Sequence, residues 1–178
     1  VDAVLMDFSA LSEQRCVHHV SLPYSPQTRE QILALQDIGT DELNRSNLLA
    51  NQLSLFYIQA VKALLAQTGL EAKQICAIGC HGQTIRHAPH LCYTIQLANL
   101  ALIAEQTGID VIGDFRSRDI AAGGQGAPLV PAFHQYLFGH PEEDRVVLNI
   151  GGIANISVLP QDGEVTGFDT GPGNMLMD

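Results

Sequence analysis

The sequence has 178 residues, 46% of them hydrophobic and 16% charged, with a formal net charge of −10. That length allows one full domain, or one plus part of another, and the balance is that of a core-forming chain, not a disordered one. The negative charge argues against nucleic acid or an anionic membrane as the main partner, while local arginines leave an anionic small molecule open.

Four cysteines, Cys16, Cys76, Cys80 and Cys92, show no regular spacing. A chain this long and apolar needs no disulfide framework, so reduced thiols in a cytoplasmic protein are expected. Cys76, Cys80, His81, His87, His90 and Cys92 could be imagined as a zinc cluster. Their spacing fits no common finger, and Cys76 and Cys80 lie in or beside an apolar strand. Packed thiols are therefore expected, and no metal ligand is assigned. No apolar run approaches the ~20 residues of a membrane span.

Residues 1–8 read as a strand and 16–22 as a second, joined to the first by a polar turn. Ser25-Pro26 is a cap followed by proline at the first helical position, which predicts a helix to about residue 38, ended by Gly39. Thr40 then caps a longer helix over 41–68, with Gly69 past its end. Within it Leu49, Leu53, Phe56, Ala60, Val61 and Leu64 recur at spacings of three and four, one apolar stripe that covers a sheet.

Residues 74–79 read as a strand. The loop over 80–89 carries His81, Gln83, Thr84 and Arg86 at the carboxyl end of that strand, where open α/β sheets bind ligands. A short strand over 93–96, a helix over 100–107 ended by Gly108, and a strand over 110–113 follow. The polar loop over 114–126 then holds two arginines, two aspartates and three glycines. A salt-bridged surface turn would explain the charges. The glycines favour close approach of a ligand to the backbone. A helix over 128–138 and a linker over 139–141 complete this part.

A three-strand pattern begins at Val146. Two apolar, β-branched runs flank Gly151-Gly152, a hairpin signal. Glycines at such a tip leave backbone N–H groups open to an anion. A second glycine cluster, with Gly171 and Gly173, surrounds one carboxylate, Asp169. A phosphate cradle followed by a general base suggests phosphoryl transfer. Asp169 also reads as a turn or capping aspartate, and the glycine pair as an ordinary hairpin.

The glycine hairpin resembles the second phosphate-binding hairpin of the actin, hexokinase and heat-shock chaperone ATPase superfamily. Upstream stand Cys80-His81-Gly82-Gln83-Thr84-Ile85-Arg86-His87, Asp114-Phe115-Arg116-Ser117-Arg118-Asp119 and Ala121-Ala122-Gly123-Gly124-Gln125-Gly126-Ala127-Pro128-Leu129-Val130-Pro131. With these motifs in the same order, the chain resembles the anhydro-N-acetylmuramic acid kinase family over nearly its whole length.

The resemblance implies an α/β fold: a ribonuclease-H-like (actin-like ATPase) domain over 1–140 and the incomplete beginning of a second over 141–178. The family's first strand and its Gly-Thr-Ser-x-Asp-Gly phosphate loop would fall before Val1. It also implies a cytoplasmic sugar kinase of peptidoglycan recycling, with ATP and Mg2+ as cofactors. ATP would phosphorylate O6 of 1,6-anhydro-N-acetylmuramic acid while water opens the anhydro bridge at C1. Asp169 would be the base. Gly151, Gly152, Asn155, Gly171, Gly173 and Asn174 would serve the nucleotide. His81, Gln83, Thr84, Asn99, Asp114, Arg118 and Gln125 would serve the sugar, in a cleft between domains.

The sugar's lactyl carboxylate calls for a cation or a nest of N–H groups; Arg86, Arg116 and Arg118 are the candidates, with Arg118 favoured over the alternative of its pairing with Asp114 or Asp119. The implied partner is a small amino sugar, with no nucleic acid, no membrane, and a homodimer left open. The isolated 178-residue chain is expected to be inactive. Two competing readings are another sugar or acyl-phosphate kinase of the superfamily, and a non-catalytic sugar-binding protein that kept the fold.

Overall fold

The computed structural model describes residues 1–9 and 15–174. Its backbone divides into two units, Val1–Phe115 and Arg116–Asp178, each mixing helices with strands.

In the first unit β1 (Asp2–Asp7) pairs antiparallel with β2 (Arg15–Ser21). The polar turn expected between them lies outside the described residues. Ser25 caps α1 (Pro26–Leu33), its hydroxyl accepting from Thr28 N at 3.1 Å. The helix stops short of residue 38 for two reasons. Leu35 turns into the core at 2% exposure, and Arg86 takes the carbonyls of Leu35 and Asp37. Helix α2 (Glu42–Thr68) starts from Asp41, in a left-handed conformation at φ 54°, and not from a Thr40 cap. Glu42 reaches back to accept from Gly39 N, supplying the contact that a cap residue would make. Gly69, at φ 70°, ends the helix as expected.

The α2 stripe is real: Leu49, Leu53, Ala60 and Leu64 are buried, and the helix packs on β1, on β2, on β5 (Tyr93–Leu97) and on α3 (Leu100–Thr107). Contrary to the expectation of no such run, α2 is long and apolar enough by composition to cross a membrane. Its buried stripe gives those apolar residues an internal role.

The expected strand over 74–79 is shifted. A single 3-10 turn occupies Ala72–Gln74, and β3 covers Ile78–Cys80, parallel to β6 (Val111–Gly113). The polar loop expected over 80–89 is largely a strand, β4 (Gln83–Ala88), antiparallel to β5. Ile85 decides this: it is buried with Leu35, Leu49, Leu53 and Leu97, which pins the segment to the core. Beyond β1 and β3, each paired on one edge only among the described residues, lies a cavity of about 1100 Å3 lined by both strands and by Tyr57, Ala60, Val61 and Leu64 of α2.

In the second unit a short helix, α4 (Ser117–Ala121), stands inside the expected polar loop. Its Asp119 carboxylate accepts from Gly126 N at 2.7 Å, and a Cβ on Gly124 would collide with that carboxylate. These glycines let the chain close over α4, so packing accounts for them without a ligand. Helix α5 (Pro131–Phe138) begins at Pro131 rather than at residue 128. Strands β7 (Arg145–Ile150), β8 (Ile153–Leu159) and β9 (Thr166–Pro172) form an antiparallel meander.

Helix α5 covers one face of the meander. His134 Nδ1 lies 2.8 Å from Oγ of Ser157, which is fully buried. Gly167, paired with Ser157, has no room for a side chain beneath Pro131. The other face carries Val146, Leu148, Ile150 and Phe168, each more than half exposed at 61%, 58%, 63% and 53%.

Candidate active site

The first unit groups most of the residues expected to serve the sugar. Cys80 pairs with Gly113 in the parallel β3–β6 ladder, so His81 and Asp114 follow directly at the carboxyl ends of neighbouring strands. Asp114 is exposed and left-handed at φ 54°. His81 is exposed, its Nδ1 2.9 Å from the Gly82 carbonyl oxygen. Gln83 opens β4 and donates to Thr84 O at 3.3 Å, while the Thr84 hydroxyl accepts from Gln96 Nε2 at 3.3 Å.

Asn99 follows β5, whose Leu97 is the partner of Gln83. Its Oδ1 accepts from Leu102 N at 3.0 Å and its Nδ2 donates to Asn51 at 2.7 Å. That side chain is the cap of α3. Arg86, a candidate for the lactyl carboxylate, is spent inside the fold on Leu35 O, Asp37 O and Glu42.

The second unit gathers the glycines. The register sets Asn149 opposite Asn155 and Asn155 opposite Asp169, one polar row across three strands. Asp169 therefore stands in a strand, not in the turn its glycine neighbours suggested. The ladder slips between Ala154 and Asn155, leaving Thr170 as the extra residue of a bulge, its hydroxyl donating to Ala154 O at 3.1 Å. Bulges re-aim neighbouring side chains and are common beside active sites.

Past the bulge the chain folds over the Gly151-Gly152 turn. Gly173 N donates to Gly152 O at 2.8 Å, and Asn174 N to Gly151 O at 2.9 Å. Any Cβ on Gly173 would collide with the Gly151 carbonyl. Gly151, Gly152, Asn155, Asp169, Gly171, Gly173 and Asn174 are thus brought to one end of one sheet. A backbone stripped of Cβ atoms there is suited to phosphate oxygens.

Arg116 is half-buried, and its Nη1 donates to Gly126 O at 3.2 Å. Burial pulls its pKa down, and the negative charge of Asp169 pushes it back up. This electrostatic link to Asp169 was not readable from sequence, because only the β9 register brings the two groups near. Arg118 is exposed on α4, and among the described residues no ion pair joins it to Asp114 or Asp119. Gln125 is exposed in the loop after α4. Of the cysteines, Cys80 is buried, which pushes its thiol pKa up, and Cys16, Cys76 and Cys92 are exposed.

A family model described as anhydro-N-acetylmuramic acid kinase matches residues 1–178. The chain is 58% identical over 177 residues to the anhydro-N-acetylmuramic acid kinase of Neisseria meningitidis serogroup C, covering 99% of this chain and 48% of that protein. It is likewise 58% identical to the protein of that name from Neisseria gonorrhoeae, again over 99% of this chain and 48% of the other. The Nitrosomonas europaea protein of that name is 56% identical over 180 residues, covering 100% of this chain and 49% of its own length. The chain spans about half the length of the curated relatives it matches.

Proposed function

The chain belongs to the anhydro-N-acetylmuramic acid kinase family, and from that membership we propose that it carries the sugar-recognition and phosphate-turn residues of an ATP-dependent sugar kinase. The observation that carries the reading is the placement of Asp169 beside two interlocked glycine turns.

The reaction would convert 1,6-anhydro-N-acetylmuramic acid, water and ATP to N-acetylmuramic acid 6-phosphate and ADP. Asp169 takes a proton from water as the water oxygen bonds to C1. The C1–O6 bond breaks, and O6 is captured by the γ-phosphoryl group of ATP. No protein acid is then needed at O6, so one carboxylate and phosphate-holding groups suffice, as in an inverting glycosidase relieved of its acid.

Gly151, Gly152 and Gly171 would meet the nucleotide phosphates through backbone N–H groups, with Gly173 and Asn174 holding the Gly151-Gly152 turn in place through their own N–H bonds to it, and Asn155 would meet them through its amide. Mg2+ bound with the nucleotide would neutralise charge on the β- and γ-phosphates. His81, Gln83, Thr84 and Asp114 would hold the sugar hydroxyl and acetamido groups, with Asn99 acting through the α3 cap. Arg118 is the arginine we assign to the lactyl carboxylate, since Arg86 and Arg116 are occupied within the fold.

We read 1–140 as a ribonuclease-H-like, actin-like ATPase domain and 141–178 as the start of a second. The cavity between the open edges of β1 and β3 supports this, because a further strand there would join the two small sheets into one. The enzyme would work in the cytoplasm, returning cell-wall sugar to metabolism.

The test is an ADP-release assay on the enzyme at its relatives' full length with a panel of amino sugars. Turnover confined to the 1,6-anhydro sugar is expected, with label from 18O-water at C1. Turnover of ordinary hexoses at equal rate, or label absent from C1, would overturn the reading.

A further inference from the structure

Gln96 stands opposite Thr84 in the β4–β5 pairing, and its amide nitrogen meets two threonine hydroxyls at once, Thr84 Oγ1 at 3.3 Å and Thr94 Oγ1 at 2.7 Å. Thr94 fixes which way these bonds run. Its hydroxyl donates to Arg86 O at 3.3 Å, and His87 Nδ1 lies 3.1 Å from the same Oγ1. A hydroxyl has one proton and two lone pairs. With the proton given to the Arg86 carbonyl, only the lone pairs of Thr94 are left, so Gln96 and His87 both donate to it. The part of the Gln96 amide that faces the threonines is therefore its NH2 and not its oxygen.

The second N–H of that NH2 goes to Thr84. Thr84 is half-buried at the start of β4, two residues past the Gly82 that follows His81. Among the described residues nothing takes its hydroxyl proton. A free hydroxyl rotates to give or to take a hydrogen bond. Gln96 fills one lone pair of Thr84 and so turns the hydroxyl toward giving.

We propose that Gln96 is a positioning residue for the sugar: by donating to Thr84 it presents the Thr84 O–H as a donor to an oxygen of the ligand. This rests on the reading of Thr84 as a sugar-binding residue. Gln96 itself does not touch the sugar and acts only through the threonine. Its anchor, Thr94, is held by the backbone of β4 through the Arg86 carbonyl, so the strand pair itself sets the direction of the row.

A double-mutant cycle in the intact enzyme tests this, read as the Kd for 1,6-anhydro-N-acetylmuramic acid by calorimetric titration, in which the fitted stoichiometry gives the folded fraction. Thr84→Val is expected to weaken sugar binding about tenfold, the loss of one hydrogen bond, and Gln96→Met about fivefold, because the hydroxyl then rotates freely. In the Thr84→Val background, Gln96→Met is expected to change the sugar Kd by less than about twofold. Thr84→Ser keeps the hydroxyl and is expected to keep the full effect of Gln96→Met. Nucleotide affinity is expected to hold in every variant. Gln96→Leu serves in the same cycle if the methionine variant does not fold.

A loss from Gln96→Met that is equal beside threonine and beside valine would overturn the proposal and leave Gln96 a structural residue of the strand pair. So would a Gln96→Met enzyme that binds the sugar as wild type does. Failure of the underlying reading looks different: Thr84→Val then binds the sugar normally, and the proposal falls with it.

Discussion

Arg86 Nη2 lies 2.8 Å from Glu42 Oε2, tying β4 to the first turn of α2. The same guanidinium donates from Nε to Leu35 O at 3.1 Å and from Nη2 to Asp37 O at 2.8 Å. One planar fork therefore holds the irregular connection between α1 and α2 to the strand. Its position in a His-Gly-Gln-Thr-Ile-Arg motif pointed to the sugar; its partners point to the fold.

Arg86→Ala should lower stability by about 2–3 kcal/mol, because half-buried carbonyls and a carboxylate lose their donor together. Arg86→Lys should recover less than half of that, since an ammonium cannot reach the three acceptors as a fork does. Urea midpoints measure both. Sugar affinity per folded molecule should change little, and a large selective loss of affinity at an unchanged midpoint would return Arg86 to the site.

Gly173→Ala should separate the two glycine turns. The new Cβ cannot coexist with the Gly151 carbonyl, so the hydrogen bonds from Gly173 and Asn174 to the Gly-Gly turn must break or lengthen. Nucleotide affinity of the intact enzyme should fall about tenfold or more, the cost of one or two lost hydrogen bonds. Sugar affinity should hold. Calorimetric titration with each ligand decides, and unchanged nucleotide binding would remove this segment from the phosphate site.

Much of this was legible in the sequence where local chemistry fixes the backbone. Ser25-Pro26 set the start of α1, Gly69 and Gly108 ended their helices, and the glycine pair between β-branched runs gave β7 and β8. What failed was non-local. The segment 83–88 reads as a polar loop until Ile85 finds Leu35, Leu49 and Leu97. Gly124 and Gly126 read as ligand-facing until Asp119 and Ile120 come beneath them. The turn or capping alternative for Asp169 gave way to a strand position, which depends on pairing with β8 past the bulge at Thr170. The candidate base and the glycines were found by motif, whereas the bond from Gln96 to Thr84 and the charge of Arg116 needed the register.

Expressed alone, the 178-residue polypeptide should show no kinase turnover and should bind an apolar dye such as ANS. One face of the β7–β9 sheet exposes Val146, Leu148, Ile150 and Phe168, an uncovered apolar patch. Leu148→Lys with Phe168→Lys should cut dye binding by about half or more and delay aggregation, with the α5-covered face intact. Robust turnover by this polypeptide would contradict the first expectation, and dye binding indifferent to both lysines would show that this patch is not where the dye binds.

Asp169→Asn should abolish turnover in the intact enzyme while both ligands still bind. Asparagine matches the carboxylate in size, so the β8–β9 pairing and the Thr170 bulge should survive. It cannot take a proton from water at neutral pH. Removing a general base typically costs on the order of 10²–10⁴ in rate. The cost should lie at the upper end, because attack at C1 and transfer to O6 are coupled and O6 leaves poorly before phosphoryl transfer begins. Half-buried Arg116 would lose a charge that favours its protonated form, so a small stability loss is also expected, screened by solvent and smaller than any catalytic effect. Arg116→Met in the same background should remove that secondary loss and restore no activity. A purely structural aspartate gives the opposite pattern: stability falls by about 0.5–2 kcal/mol, as for a lost cap, and turnover per folded molecule persists. A thermal melt paired with single-turnover ADP formation separates the two, and a mutant that melts early but turns over at near-normal rate removes Asp169 from the mechanism.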